Sequence, residues 1–383
     1  MYGLTEEELM LQAALRDFAR HEIAPRAAHI DETEEFPWDI LKKMAQLGWM
    51  GIIVPREYGG AGSSALAYSM TVEEMARASA AVSLILAAHA TLACWPIMTF
   101  GTEAQKQRYL PPLAKGEALG AYSLTEPNSG SDAAAMETRA VRDGDDYVLN
   151  GRKSFVTNGD VADTIVLFAS TDREQRARGV TAFILEKSMA GLTPGKPLRK
   201  MGMHGSSTAE LVLEDVRVPV TNRLGEEGQG FRIAMQVLDV GRIGIASQAL
   251  GIAQAALDAA LEYASQREQF GKPIADFQAV AWMLADMQVR IHASRLMTYT
   301  AARVKDAGQP LGMAASSAKL FASETAVFCS SKAVQIHGGY GYIKDFPVER
   351  LYRDAKITEI YEGTSEIQRL VISRELLRSV RGK

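Results

Sequence analysis

The sequence changes its hydrophobic periodicity twice, and these two changes constrain the fold more than any other feature. Over residues 1 to about 118, apolar side chains recur at helical spacing, starting with Leu9, Leu11, Leu15, Phe18 and Ile23. Between Ala121 and about Val220, short segments rich in β-branched and aromatic residues are separated by turn residues such as Asn150-Gly151. Long helical patterns return after the cluster Gly225, Gly228 and Gly230. The order helical, β, helical predicts a multi-domain α+β protein.

Three domains are expected from these changes. They are an N-terminal all-α domain at 1–118, a middle β-domain at 119–225 and a C-terminal α-helical domain at 226–383. The middle domain is expected to be an antiparallel barrel or sandwich, and the strand spacing does not choose between the two. In the last domain, four long helical patterns predict a four-helix bundle: 231–266, 277–305, 313–336 and 365–380.

Composition excludes several classes of protein. The 383-residue chain is 47% hydrophobic and 23% charged, which is the balance of a globular protein, and its net charge of −4 gives no basic footprint for nucleic acid. No uninterrupted run of about 18 apolar residues occurs, so no membrane span is expected. Cys94 and Cys329 lie in apolar helical sequence, which favours core packing in a reducing compartment over a disulfide framework.

The first residues bear on localisation. Glu6, Glu7 and Glu8 stand where a secretory signal would be basic, so no signal peptide is expected. A cytoplasmic bacterial protein is the simplest interpretation. A mitochondrial-matrix protein from which a leader has been removed is the alternative.

Glu362 is the strongest candidate for a catalytic side chain. It follows the bulky pair Ile360-Tyr361, precedes Gly363, and stands just before a helix that Ser365 and Gln368 would open as a capping box. Burial would raise the pKa of this carboxyl and a helix N-terminus would lower it, and the sequence leaves the net direction open. A carboxylate tuned in this way suits a general base. The simpler interpretation is an acid that only complements the helix dipole.

Two further polar segments lie in the predicted β-domain. Residues 122–132 form a Ser- and Gly-rich loop whose backbone donors and acceptors suit the polar rim of a flat heterocycle. On a strand, Phe155 and Thr157 would share one face, so that a ring and a hydroxyl could flank such a ligand. An ordinary surface loop and an ordinary half-buried strand are the alternatives.

Three helix-associated groups could bind phosphate or charge. Arg267 carries a planar fork suited to phosphate, and residues 335–339 end a helix with paired glycines that phosphate could approach. Asp239 and Arg242 are three residues apart and share a helix face. The respective alternatives are a solvated arginine, a plain helix C-cap and a surface ion pair of little energetic value.

The segment Tyr361-Glu362-Gly363-Thr364 resembles the catalytic segment of the acyl-CoA dehydrogenase family. The similarity runs through nearly all of the chain and is greatest to the short-chain (butyryl-CoA) members. It implies that Glu362 removes the α-proton of an acyl-CoA thioester while the β-hydride passes to FAD, which yields a trans-2-enoyl-CoA. It further implies a barrel-like middle domain, an electron-transfer flavoprotein as electron acceptor, and a homo-oligomer that is a dimer of dimers.

The resemblance also implies which residues bind cofactor and substrate. For FAD they are Tyr122, Leu124, Thr125, Gly130, Ser131, Phe155, Val156, Thr157, Arg267, Phe270, Gln278, Gln335, Ile336, Gly338, Gly339, Thr364 and Glu366. Those from Arg267 to Gly339 would reach the FAD of a neighbouring subunit. For the acyl-CoA substrate they are Ser131, Asp239, Arg242, Tyr361 and Gly363.

Two positions distinguish this chain within the family. Phe155 stands where the family usually has Trp, and Gly241 occupies a helix position that carries the base in some branched-chain relatives. The resemblance therefore implies the short- and medium-chain pattern, with the base at Glu362. The alternative functions are a branched-chain or medium-chain acyl-CoA dehydrogenase, an acyl-CoA oxidase and a non-catalytic flavoprotein.

The sequence contains no motif for an NAD or metal cofactor. No GxGxxG opens a helix after a strand, so a Rossmann NAD site is unsupported. The six histidines show no metal-ligand spacing, so no metal is expected.

Overall fold

The first third of the chain is helical in the computed structural model, which describes residues 2–381. The helix α1 begins at a capping box in which the Thr5 hydroxyl accepts from the Glu8 N–H and the Glu8 carboxylate accepts from the Thr5 N–H. The helices of this part are α1 (Glu6–Phe18), α2 (Ala27–Thr33), α3 (Trp38–Gln46), α4 (Ala65–Ala78), α5 (Ala80–Ala87), α6 (Trp95–Phe100) and α7 (Glu103–Ala114). Between α5 and α6 a π-helical segment, Ala88–Cys94, is fully buried.

The middle third of the chain forms a mixed β-sheet. Its strands are β1 (Gly120–Ser123), β2 (Arg139–Asp143), β3 (Asp146–Thr157), β4 (Thr164–Ser170), β5 (Val180–Glu186), β6 (Leu192–Pro194), β7 (Thr208–Pro219) and β8 (Arg223–Leu224). The strand order is β6-β7-β3-β2-β4-β5-β8, with β1 paired to β4 outside this path. Strands β4 and β5 are buried along nearly their whole length, which matches their continuous apolar sequence.

Two features of this sheet differ from the sequence expectation. Strand β1 pairs with β4 in parallel, with Gly120 opposite Thr164, and β2 meets β4 in parallel at Arg139 and Ser170, so the sheet is not purely antiparallel. Among the described strands, the path ends at β6 and β8 and does not close into a barrel. Turn residues specify only local hairpins such as β2–β3, whereas the parallel pairs join strands that are distant in the chain.

The last third of the chain is built around one long buried helix. The helices are α8 (Gly230–Gln266), α9 (Gln278–Asp306), α10 (Gly312–His337), α11 (Val348–Ile357) and α12 (Ser365–Arg381), with a short hairpin of β9 (Glu268–Gln269) and β10 (Lys272–Pro273) after α8. Helix α8 packs against α4, α9 and α10. Its segment from Val240 to Ala253 is buried on every side, because small residues let neighbouring helices approach closely. Helix α8 therefore connects the first and last helical parts in one core.

Two helical stretches are long and apolar enough to cross a membrane by length and composition. They are Ala80–Phe100 and Gly230–Gln266, and 94% and 78% of their most apolar windows are buried inside the protein. Core helices of folded proteins pass the same test. The expectation of no membrane span counted only uninterrupted apolar runs, and it stays a prediction.

The predicted domain boundaries fall between elements of the structure. Strand β1 begins at Gly120 and helix α8 begins at Gly230, close to the expected boundaries at 118/119 and 225/226. Because the helical parts share a continuous core, the division into three domains stays a prediction.

Candidate active site

Glu362 lies on a strained turn between α11 and α12. Its φ is 52° and that of Gly363 is 94°, so two consecutive residues adopt the left-handed conformation. A non-glycine residue in this region costs on the order of 1–3 kcal/mol and persists only where the surroundings enforce it. The turn is closed by a 2.9 Å hydrogen bond from the Ser365 N–H to the Glu359 carbonyl.

The predicted capping box of α12 is wrong. Thr364 occupies the capping position, where its hydroxyl accepts from the Ile367 N–H at 3.3 Å, and the Ser365 hydroxyl is buried with no partner within residues 2–381. The Gln368 amide instead donates to the carbonyl oxygens of Glu362 and Gly363, at 3.2 and 2.8 Å. The sequence spacing fitted a capping box, but with the left-handed turn before it the cap lies one residue nearer the N-terminus, at Thr364.

Burial determines the charge behaviour of Glu362. Its Oε2 atom is buried and has no hydrogen-bond partner among the described residues. Burial raises the pKa of this carboxyl to about 7, although the positive charges of Lys319 and Arg242 act to lower it. A carboxyl with such a pKa can take up a proton near neutral pH, as a general base must.

Gly241 of α8 provides the space that the Glu362 carboxylate occupies. A Cβ atom at position 241 would overlap Glu362 Oε2 and would lie 3.0 Å from Glu362 Cδ and from Leu92 Cδ2. The carboxylate therefore rests against the bare backbone of α8. A side chain at position 241 and the side chain of Glu362 compete for one place in the structure.

Arg242 is buried rather than exposed at a helix surface. Its Nη1 lies 2.5 Å from Asp239 Oδ1 and 3.3 Å from Ser316 Oγ, and its Nε is buried with no partner in the described part of the chain. The predicted spacing of Asp239 and Arg242 thus yields an ion pair, but the alternative of a surface pair is wrong because Arg242 is 4% exposed. A buried guanidinium with a free N–H is a preorganised donor close to Glu362.

Strand β1 and the loop after it present unpaired polar groups. The hydroxyls of Tyr122 and Ser123 are buried and have no partner among residues 2–381. The carbonyl oxygens of Leu124 and Thr125 accept from Lys153 Nζ and the Ser154 N–H, at 3.1 and 2.8 Å. Further along the loop, Gly130 and Ser131 are exposed.

A buried ion pair fixes this loop to β3. Lys153 Nζ lies 2.7 Å from Glu126 Oε1, and the Glu126 carboxylate also accepts from the N–H groups of Glu137 and Thr138. Lys153 is 0% and Glu126 is 3% exposed. The pair ties the start of the loop, its end and strand β3 together.

We expect Lys153→Met to lower the free energy of unfolding by about 3–5 kcal/mol, because it leaves the Glu126 carboxylate buried without its cation. Arg152→Met is a matched control, since Arg152 pairs with Glu210 at the surface and its loss should change stability by at most about 1 kcal/mol. Urea unfolding of both variants measures the difference. Equal effects of the two substitutions would contradict this role of the buried pair.

Phe155, Val156 and Thr157 lie at an irregularity of β3. The pairing with β7 shifts between Lys153 and Val156, and Phe155 has a φ of 55°. Val156 is 1% exposed in the sheet core, whereas the ring of Phe155 is 70% exposed and Thr157 is half-buried. The bulge turns the Phe155 ring outwards at the end of the strand.

A cavity of about 470 Å³ lies in the C-terminal helical part. It is lined by Arg267, Ile336, Gly338 and Gly339 together with Tyr263, Gln269, Ile274, His337, Tyr340 and Ile343. Four of the predicted FAD residues are thus brought together, and the Arg267 guanidinium lies over the Tyr340 ring. No predicted residue of the β-domain lines this cavity in the described part of the chain. The structure therefore separates the predicted FAD residues into two groups within one subunit.

The remaining predicted residues lie at the edges of these two groups. Phe270, on the turn of the β9–β10 hairpin, is 95% exposed, Gln278 begins α9 in an exposed position, and Gln335 is exposed beside the cavity. Thr364, Glu366, Tyr361 and Gly363 lie on the Glu362 turn, where the Tyr361 hydroxyl donates to the Gln248 side chain.

Sequence reasoning missed Lys319 and the roles of Gln368 and Lys153. Lys319 is 0% exposed and donates a 2.7 Å hydrogen bond to the Gly363 carbonyl. A single lysine within the Ala- and Ser-rich start of the predicted 313–336 helix was the available signal. Nothing in the sequence connects it to a turn 44 residues further on.

The site combines a carboxyl of raised pKa on a strained turn with the unpaired hydroxyls of Tyr122 and Ser123, groups that can accept a proton and contact a polar cofactor. Family models described as the N-terminal, middle and C-terminal domains of acyl-CoA dehydrogenase match residues 5–117, 121–216 and 228–377. The chain belongs to the acyl-CoA dehydrogenase family. The predicted family and the predicted fold class are thereby confirmed.

Individual relatives cover nearly the whole chain. A short-chain specific acyl-CoA dehydrogenase of Clostridium acetobutylicum is 54% identical, over 98% of this chain and 100% of the relative. The butyryl-CoA dehydrogenase structure from Megasphaera elsdenii is 47% identical with a TM-score of 0.96, and covers 98% of this chain and 99% of that one. A chain in a structure described as the electron transferring flavoprotein of Acidaminococcus fermentans is 49% identical with a TM-score of 0.97, over 99% and 100% of the two chains.

Acyl-CoA dehydrogenases are FAD enzymes, and the residues present fit this cofactor. The unpaired hydroxyls of Tyr122 and Ser123 and the exposed ring of Phe155 offer polar and aromatic contacts for a flavin ring. The Arg267 cavity offers a cation for the diphosphate, and the space where a Cβ atom would lie at Gly338 or Gly339 is free of other described residues apart from their immediate neighbours in the chain. The predicted cofactor FAD is confirmed for the family, whereas the role of each residue remains a proposal.

Proposed function

We propose that this enzyme dehydrogenates a short-chain acyl-CoA, between its α and β carbons, to a trans-2-enoyl-CoA, with an electron-transfer flavoprotein as electron acceptor. The buried Glu362 carboxylate, with its pKa near 7 and its place against Gly241, carries the proposal. The short-chain specific relative supports the choice of substrate, and the matching electron transferring flavoprotein structure supports the choice of partner.

In the proposed reaction, Glu362 removes the α-proton of the thioester. The α C–H bond breaks, the proton passes to a carboxylate oxygen of Glu362, and negative charge develops on the thioester carbonyl oxygen. Within residues 2–381, the backbone N–H of Glu362 donates to no other protein group, so it is free to bind this oxygen. One such donor is typically worth about 3 kcal/mol in the transition state.

The residues around Glu362 and along the loop after β1 would divide the binding of substrate and cofactor. Asp239 and Arg242 would contact the CoA part, and Ser131, Tyr361 and Gly363 would lie against the ester and the acyl group. Tyr122, Leu124, Thr125, Gly130, Ser131, Phe155, Val156, Thr157, Thr364 and Glu366 would hold the flavin end of FAD. When bound, FAD accepts the hydride from the β-carbon.

Arg267, Phe270, Gln278, Gln335, Ile336, Gly338 and Gly339 would contact the FAD of a neighbouring subunit. Phe270 and Tyr342 are 95% and 87% exposed, which is unusual for large rings in an isolated soluble subunit and fits a surface covered by another copy. We propose a dimer of dimers in the cytoplasm of a bacterium. Because FAD would be shared between copies, dissociation should release it.

A spectral titration tests the function. The purified protein should be yellow, and its flavin absorbance should bleach most completely with butyryl-CoA within a series of straight-chain esters from about four to sixteen carbons. Strongest bleaching with longer or branched esters would favour a medium-chain or branched-chain enzyme. Peroxide formed in air would favour an oxidase, and no bleaching with any ester would favour a non-catalytic flavoprotein.

The pH dependence of kcat/KM should show an acid limb near pH 7. Proton removal requires ionised Glu362, and burial raises the pKa of this carboxyl to about 7, so activity should rise as the pH increases through that value. Steady-state rates at limiting substrate between pH 5 and pH 9 measure this. A limb near 4.5, the value of an unperturbed glutamate, would contradict burial of the carboxyl.

A further inference from the structure

Lys319 is a lysine for which neither packing nor an ion pair gives a reason. It lies in α10 with its side chain 0% exposed, and burial lowers the pKa of its ammonium group to about 8. Its Nζ donates a 2.7 Å hydrogen bond to the carbonyl oxygen of Gly363. No carboxylate of residues 2–381 forms an ion pair with it. Burial of an unpaired ammonium is costly, so its retention calls for another role.

The atom that Lys319 binds belongs to the turn that carries Glu362. The Gly363 carbonyl accepts from two donors, Lys319 Nζ on α10 and Gln368 Nε2 on α12. Both Glu362 and Gly363 are left-handed, and for Glu362, which is not a glycine, this conformation persists only where the surroundings hold it. Rotation of the peptide groups in this turn would redirect both the carboxylate and the N–H of Glu362.

The charge of Lys319 also acts on Glu362. Among the groups that lower the pKa of Glu362, Lys319 is the strongest and Arg242 of α8 is the next. Burial raises the pKa of the hydroxyls of Tyr68 on α4, Tyr122 on β1 and the adjacent Tyr361, and the negative charge of Glu362 raises each of them further.

Three other charged groups face Lys319. They are Arg242, which lowers its pKa, and Glu359 and Glu366, which raise it. Glu359 is already paired with Lys356 at 2.6 Å, and Glu366 is exposed at the start of α12. Lys319 is therefore the buried cation on α10 that is both hydrogen-bonded to the turn and coupled to its carboxyl.

We propose that Lys319 is a positioning residue of the dehydrogenation: its ammonium group holds the Gly363 carbonyl and thereby fixes the direction in which Glu362 presents its carboxylate and its N–H. The inference rests on the proposed function of Glu362 as the base. Lys319 binds the turn through the Gly363 carbonyl, so it acts through Glu362.

Washout of the methyl protons of acetyl-CoA in D₂O, followed by NMR, tests the proposal. Acetyl-CoA has α-hydrogens and no β-carbon, so no hydride can be transferred. Glu362 takes a proton, the electron pair stays on the thioester as its enolate, and deuterium returns from the exchanged carboxyl. The rate therefore reports removal of the proton alone. FAD content and thermal unfolding of each variant are measured beside it.

Two variants separate the hydrogen bond from the charge. Lys319→Met removes both, so washout should slow at least about tenfold and its acid limb should move to higher pH, because the loss of a positive charge raises the pKa of Glu362. Gln368→Leu removes only hydrogen bonds to the turn, so washout should slow while the limb stays in place. Lys42→Met, at an exposed lysine of α3, should behave as the wild type.

The outcomes are decisive in each case. If Lys319→Met has the rate and the acid limb of the wild type, the proposal is overturned. Should that variant fail to fold, Gln368→Leu removes the other hydrogen bond to the same carbonyl, and an unchanged washout rate in that variant would overturn the proposal as well. Absence of washout in the wild type would instead overturn the role of Glu362 as the base.

Discussion

Glu362→Gln should lower kcat for butyryl-CoA by about 10²–10⁴, the usual contribution of a general base. The amide keeps the size of the side chain and removes its ability to accept the α-proton. Because Glu362 Oε2 makes no hydrogen bond within the described structure, the substitution breaks no polar contact there. FAD content and substrate binding should therefore remain close to those of the wild type. Single-turnover reduction of the enzyme by butyryl-CoA measures the effect.

Glu359→Gln is the matched control for this experiment. Glu359 lies in the same segment, and its carboxylate pairs with Lys356 rather than with the turn. Loss of such a pair is worth at most about 1 kcal/mol of stability and should leave turnover unchanged. If Glu362→Gln turned over butyryl-CoA at the wild-type rate, another group would have to be the base.

Gly241→Ala should lower kcat by about 10² with little change in stability. The added methyl group would overlap Glu362 Oε2, an atom at the free end of a flexible side chain. The carboxylate can swing away at little energetic cost, but a displacement of about 1 Å from the reacting carbon is enough for such a loss of rate. Kinetics with butyryl-CoA and thermal unfolding, measured on the same preparation, distinguish the two effects.

Gly312→Ala provides the comparison for this substitution. It also adds a methyl group to a helical glycine, but the nearest atoms, the Asp239 carboxylate oxygens, lie 4.0 Å away. Its activity should match that of the wild type. Full activity of Gly241→Ala would mean that the carboxylate acts from a position away from α8.

The sequence predicts the architecture well because each third of the chain has its own periodicity. It misses the parallel pairing of β1 with β4, because these strands are separated by the whole β2–β3 hairpin and no local turn links them. It also misassigns the cap of α12, since Ser365 and Gln368 have the right spacing but the preceding backbone is left-handed. Local patterns predict local structure, and these two features depend on distant contacts.

In the candidate site, too, local features could be predicted from the sequence and features that depend on distant contacts could not. The stretch around Glu362 identifies a candidate base from its neighbours alone. The direction of its pKa shift depends on burial and on Lys319 and Arg242, which come from two other helices. The space for its carboxylate depends on Gly241, 121 residues earlier in the chain. Burial, the two neighbouring charges and the space at Gly241 cannot be inferred from the segment itself, so the sequence left the direction of the pKa shift open.

The left-handed conformation of Glu362 serves the proposed catalysis but lowers the stability of the folded protein. Glycine would adopt this φ without penalty and would remove a carboxyl whose Oε2 atom is buried with no partner among the described residues. The raised pKa gives the folded state a stabilising contribution that is complete below pH 4.5 and is lost as the pH rises through about 7. At the pH where the enzyme is most active, the inactive Glu362→Gly variant should therefore unfold at a higher temperature than the wild type. Selection for thermal stability alone would therefore favour the replacement of Glu362.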